Sequence, residues 1–169
     1  MIELLFTTSP KRFSKLARWA LRSDCSHFAV NFDNGIVFHS NFLGAHIEPY
    51  QVFAKENFII HRLRFCDMPL KDEEMLYQKL INIEYGKGYD FGAMLFLGLN
   101  LISLRFRDDY LFKFNLWNTK DYLICTEILE CLSGMEFSQF TFPIIDNIAM
   151  KKPHDLYLEL KSLPFLIAS

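Results

Sequence analysis

Ser26-His27-Phe28-Ala29-Val30-Asn31-Phe32-Asp33-Asn34-Gly35-Ile36-Val37-Phe38-His39-Ser40 decides the fold of this chain. It reads as two strands, 27–32 and 35–40, around the turn Asp33-Asn34-Gly35. A three-residue loop with Gly35 in the left-handed conformation sets Phe32 opposite Ile36, Val30 opposite Phe38 and Ala29 opposite His39. Side chains alternate along a strand. One face then carries Phe28, Val30, Phe32, Ile36 and Phe38, all apolar. The other carries His27, Ala29, Asn31, Val37, His39 and Asn41. A two-residue Asn34-Gly35 turn would slip the register by one and split the histidines across the sheet. It would also spoil the apolar face, so the three-residue loop is preferred.

In that register His27 and His39 are diagonal neighbours, about 7–8 Å apart at the backbone and within reach through their rings. Ala29 leaves space between them. They are either half-exposed polar residues on a solvated face or part of a site. A histidine pair can begin a metal site, but no carboxylate at suitable spacing joins this one, and the expectation is no metal and no cofactor.

Outward from the hairpin, the chain has 169 residues, 51% of them apolar, with 18 phenylalanines. It is expected to form one domain over residues 1–169, with a sizeable core. A formal charge of −2 argues against a nucleic-acid partner. The four cysteines (Cys25, Cys66, Cys125 and Cys131) form no zinc-type spacing. No signal peptide is visible in Met1-Ile2-Glu3-Leu4-Leu5-Phe6, and the apolar stretch Phe91–Leu104 is shorter than the roughly 20 residues needed to span a bilayer. A cytoplasmic, reducing setting is therefore the default expectation.

Glu3–Thr7 reads as a buried strand. Ser9-Pro10 reads as a helix start, with Phe13, Leu16, Ala17, Ala20 and Leu21 on the apolar face. Lys11, Arg12, Lys15, Arg18 and Arg22 line the other face, which is either simply solvated or set against an anionic membrane or cell-wall surface. Phe58–Phe65 reads as a strand, Asp72–Ile83 as an amphipathic helix, Tyr85–Tyr89 as a break and Phe91–Leu104 as a helix. Arg105–Lys120 gives no clear signal. Leu123–Ser133 reads as a helix capped by Gly134, Pro143–Lys151 as irregular, and His154–Leu160 as a last short element.

A nucleophile would turn the histidine pair into chemistry. Cys125, in Tyr122-Leu123-Ile124-Cys125-Thr126-Glu127-Ile128-Leu129, falls at the start of a predicted helix. Unpaired backbone N–H groups there stabilise a thiolate, and a neighbouring imidazole adds to the effect. A buried structural cysteine is the alternative. Cys25, just before His27, is the rival nucleophile.

The order of these motifs resembles the circularly permuted papain-like superfamily, which includes the permuted NlpC-like amidases and the lecithin:retinol acyltransferase-like enzymes. The resemblance rests on Ser26-His27-Phe28-Ala29-Val30, Gly35-Ile36-Val37-Phe38-His39-Ser40 and Ile124-Cys125-Thr126-Glu127-Ile128-Leu129. Tyr89-Asp90 and Lys152-Pro153-His154-Asp155-Leu156-Tyr157 add to it, over roughly residues 3–160. It implies an α+β fold in which an antiparallel sheet packs against helices and the cysteine opens a helix. It also implies Cys125 as nucleophile, His27 as general base and His39 as the orienting third residue. The implied chemistry is that of a cysteine hydrolase (an amidase or endopeptidase) working through a thioacyl-enzyme on a peptide or acyl-containing substrate. A lipid-directed acyltransferase or thioesterase, or a non-catalytic module keeping the fold, are the alternatives. Because His39 must be neutral to accept a hydrogen bond, activity is expected to fall at mildly acidic pH.

Overall fold

The computed structural model describes residues 1–41, 43–83, 85–89, 99, 102–103, 122–123, 125–146, 148 and 151–168. Strands β1 (Glu3–Thr8), β2 (His27–Asn31), β3 (Ile36–Asn41), β4 (Gly44–Pro49), β5 (Phe58–Phe65) and β8 (Leu166–Ala168) form one antiparallel sheet in the order β4-β3-β2-β1-β5-β8. Helices α1 (Arg12–Leu21), α2 (Tyr50–Glu56), α3 (Leu70–Ile83) and α4 (Pro153–Lys161) and a 3-10 helix (Cys125–Cys131) cover it. Two short strands, β6 (Gly88–Tyr89) and β7 (Tyr122–Leu123), pair in parallel. An α+β architecture with an antiparallel sheet against helices is what the sequence led us to expect.

The central hairpin adopts the three-residue loop. Phe32 N–H donates to Ile36 O at 2.9 Å, Gly35 N–H donates to Phe32 O at 3.0 Å, and Gly35 has φ +75°. Ala29 pairs with His39 and Val30 with Phe38. This register splits the sheet into two chemically different faces. The larger core holds Leu4, Phe6, Phe28, Val30, Phe38, Leu63 and Phe65, packed against Leu76 and Leu80 of α3, Ile128 and Leu129 of the 3-10 helix, and Leu156 and Leu160 of α4. Burying each of these phenylalanines contributes up to about 3 kcal/mol relative to exposure. The other face has a small core of Leu5, Ala29, Val37 and Phe53 under α2.

Polar groups on that second face pair with one another. The buried Glu3 carboxylate accepts from Asn31 Nδ2 at 2.9 Å and meets Arg64 at 3.1 Å and Arg62 at 3.3 Å. Burial alone would raise its pKa, but Asn31, Arg64 and Arg62 hold it below the usual carboxylate range.

Several expectations need correction. Helix α1 begins at Arg12 and lacks a side-chain cap, so Ser9 is not its cap; instead Ser9 N–H donates to Ser14 Oγ at 3.1 Å. Leu16 does not join the core: it is 59% exposed, while Ser14 takes a buried position. Tyr85–Tyr89 is not wholly a break, since Gly88 and Tyr89 form β6. The helix predicted over 123–133 is a seven-residue 3-10 helix. The readings for Arg105–Lys120 and for most of Phe91–Leu104 lie outside the described residues. Among those described, no helix is long and apolar enough to cross a membrane.

Candidate active site

Strands β2 and β3 aim His27 and His39 from the same face into one place. His27 Nε2 and His39 Nδ1 are 3.2 Å apart, and the rings meet edge to face with centroids at 5.4 Å. Phe53 of α2 backs both rings, its centroid 6.2 Å from His27 and 5.0 Å from His39. This apolar wall and the buried position disfavour the charged imidazolium. Burial, together with His46, lowers the His27 pKa to about 4. Burial, His27 and His46 lower that of His39 to about 2. Both rings are therefore neutral at physiological pH, and His39 stays neutral far into the acid range. The loss of activity expected at mildly acidic pH moves to lower pH for this reason.

Strand β4 brings two further groups, His46 and Glu48, which the sequence reading passed over. His46 pairs with His39 across β3–β4, and Glu48 pairs with Val37, so both point to the histidine face. The His39 and His46 ring centroids are 4.3 Å apart. Glu48 Oε1 lies 2.9 Å from His39 Nε2. The expectation that no carboxylate joins the histidine pair is thus overturned. The missing signal was the alternation in Gly44-Ala45-His46-Ile47-Glu48, which sets His46 and Glu48 on one face of a strand.

The Glu48 contact has unusual geometry. The oxygen is close, yet it lies off the axis of a His39 Nε2–H bond, and that buried nitrogen has no aligned hydrogen-bond partner. A carboxylate this near would favour a charged His39, but burial and the two neighbouring imidazoles outweigh it. The contact is therefore one of carboxylate to neutral imidazole. If His39 carries its proton on Nε2, towards Glu48, its Nδ1 accepts from His27 Nε2–H. The Nδ1 lone pair of His27 is then left as a base.

An open groove of about 490 Å³ borders these residues. Its wall includes Ser9, Ser14, Ser26, His27, His39, His46, Glu48 and Glu56. A hydroxyl chain runs along it, with Ser14 Oγ 2.6 Å from Ser26 Oγ and 3.2 Å from Thr8 Oγ1.

Cys125 opens the element that follows β7. It is the first residue of the 3-10 helix, 9% exposed, and it packs into the larger core with Phe28 and Phe38. The 3-10 helix packs against β2 and β3, the strands that carry His27 and His39. The structure thus brings His27 and His39 together and sets Cys125 at the start of the 3-10 helix that packs on their two strands. A 3-10 helix of this length also gives a thiolate less help than the α-helix expected from sequence, because the aligned dipoles are few. Cys25 drops out as a rival: it is fully buried, and burial above all pushes its thiol up to about 12.

Away from the groove, Asp24 joins His61 of β5 at 2.9 Å and His154 of α4 at 3.0 Å. This ties the C-terminal Lys152–Tyr157 motif to the sheet; Asp90 of the other quoted motif lies outside the described residues.

The fold is shared with a solved structure. The metalloprotein yiiX from Escherichia coli O157:H7 superposes with a TM-score of 0.57 at 16% identity, over 99% of this chain and 94% of that one. At that identity the likeness concerns the fold alone. No family model matches the sequence, and no curated protein matches it.

Proposed function

We propose that this protein is a cysteine-dependent hydrolase of the permuted papain-like kind, acting on an amide or ester through a thioacyl-enzyme. The observation that carries the proposal is the 3.2 Å contact between His27 Nε2 and His39 Nδ1 beside an open groove. In this mechanism His27 Nδ1 takes the proton of the Cys125 thiol, and the sulfur attacks the carbonyl carbon. The tetrahedral intermediate collapses as His27 returns the proton to the leaving amine or alcohol. Water, deprotonated by His27, then releases the acid and restores the thiol. His39 orients the base ring, and Glu48 favours the His39 tautomer that keeps the base lone pair available. The mechanism requires the Cys125 sulfur to reach His27 Nδ1 when substrate is bound.

Helix α1 favours a second reading, a lipid-directed acyltransferase or thioesterase. Leu16 and Trp19 are 59% and 47% exposed between the exposed cations Arg12, Lys15 and Arg22. Apolar and basic side chains interleaved in this way suit an anionic lipid surface. Lys11 contributes less than the sequence suggested, because its Nζ is held by Glu56 at 2.6 Å.

The test is substrate profiling of the wild type against Cys125→Ser, with peptide amides on one side and acyl esters on vesicles on the other. Turnover of either class that disappears in Cys125→Ser supports cysteine chemistry. Turnover that survives the change excludes it.

A further inference from the structure

The geometry points to a site for a divalent transition-metal ion of the Zn²⁺ class, held by His39, His46 and Glu48. One ligand-type atom from each of the three lies within 4.8 Å of the other two. All three sit on adjacent strands, at paired or alternating positions that fix where the side chains leave the backbone. Two imidazole nitrogens and one carboxylate oxygen are a donor set for zinc and its neighbours, not for calcium or magnesium, which take oxygen.

A second, independent observation aims at the same point. His39 is 2% exposed, and its Nε2 atom is buried without an aligned hydrogen-bond partner while a carboxylate oxygen stands 2.9 Å away. Buried polar atoms are rarely left so. A cation between the nitrogen and the oxygen resolves this, because both then offer a lone pair to it. Ligand atoms around tetrahedral zinc stand about 3.4 Å apart, from bond lengths of about 2.0–2.1 Å. All three pairs lie within 4.8 Å, so none exceeds that spacing by more than about 1.4 Å.

The outer contacts are also those of a metal site. His46 Nδ1 lies 2.9 Å from Gly44 O, so that nitrogen carries the proton and Nε2 is the ligating atom. His39 Nδ1 faces His27 Nε2 at 3.2 Å. A metal-bound His39 donates its Nδ1–H to that nitrogen, and such second contacts orient a ligating imidazole. The neighbouring cation Lys11 is paired with Glu56, which offsets its charge beside the site. The groove leaves one side open for water or a small ligand in the fourth position.

This inference rests on the β3–β4 geometry and not on Cys125, so it can fail or hold separately from the hydrolase proposal. One consequence links the two. When the metal holds His39 Nε2, the His27–His39 bond reverses, His27 carries its proton on Nδ1, and the base lone pair is withdrawn. Added zinc should therefore inhibit the hydrolase.

The experiment is calorimetric titration of the full chain, freed of metal by chelator, with Zn²⁺ alone, followed by Co²⁺ absorption spectroscopy. One equivalent is expected to bind. The affinity should fall by more than about tenfold in His46→Ala and in the isosteric Glu48→Gln, since even outer-contact changes cost 10–100-fold. Cys125→Ser and Asp24→Asn should bind like the wild type. Absence of stoichiometric binding would overturn the site, as would binding unchanged in both His46→Ala and Glu48→Gln. So would loss of binding in Asp24→Asn, which would move the ion to the Asp24–His61–His154 group. A sulfur-to-cobalt charge-transfer band would also overturn it, because it would assign the ion to a cysteine.

Discussion

His27 Nε2 and His39 Nδ1 stand 3.2 Å apart on neighbouring strands, and the shared hydrogen bond fixes the direction of both rings. One ring must donate and the other accept, so the proton on His39 decides whether His27 can act as a base. Much of the chemistry proposed for this protein follows from that relation.

Replacing His39 by Gln tests the positioning role. The His27 ring loses the imidazole that fixes its direction, while Gln keeps a polar group nearby. Turnover should drop by about 100-fold with little change in KM, as expected for a group that acts through the base. An equal loss in His39→Gln and His39→Ala would mean that Gln restores none of the lost hydrogen bond. A KM effect alone would assign His39 to substrate binding.

The pH dependence of stability follows from the same burial. The folded-state pKa values are lowered to about 4 for His27 and about 2 for His39, against an unfolded value near 6.5. Above pH 6.5 neither state binds a proton at these sites, and stability is full. As the pH falls below 6.5 the unfolded chain binds protons that the folded chain refuses. Stability is then lost at up to about 1.4 kcal/mol per pH unit for each ring. The loss from His27 ends near pH 4, and that from His39 continues to about pH 2. Urea midpoints measured from pH 7.5 to 4.5 should fall, and the slope should flatten in His39→Gln.

Gly44→Ala should damage the edge that leads towards Cys125. Gly44 has φ +96°, and an added Cβ would stand 2.3 Å from Lys87 O. That carbonyl accepts from Ala45 N–H at 2.8 Å and ties β6 to β4. Clash and strain together should cost more than about 2 kcal/mol, read as a lower urea midpoint.

Glu3→Gln provides a contrast on the same sheet face. It weakens the pairing with Arg62 and Arg64 and should cost about 1–2 kcal/mol. Zinc affinity and turnover at neutral pH should stay within about twofold of the wild type, since uncoupled sites add.

The hairpin was legible because an unbroken alternation gives a wholly apolar face in only one of the two registers that its glycine turn offers. His46 and Glu48 were harder to place, because their alternation in residues 44–48 sets them on one face without saying which strand β4 pairs with. Strand β8 and helix α2 are too short to carry a periodic signal. Leu16 misled because helical spacing marks an apolar stripe without saying whether anything covers it. Cys125 marks another limit: a motif names a residue type in the right order, while its distance from His27 depends on tertiary contacts that no local pattern encodes.

The most direct test of Cys125–His27 chemistry is the rate of iodoacetamide alkylation at each cysteine, read by mass spectrometry in the wild type and in His27→Ala. If His27 activates Cys125, that thiol should react at least about tenfold faster than Cys66 at pH 7, despite being more buried, and His27→Ala should abolish the advantage. Cys125 reacting no faster than Cys66, with no change in His27→Ala, would contradict the account.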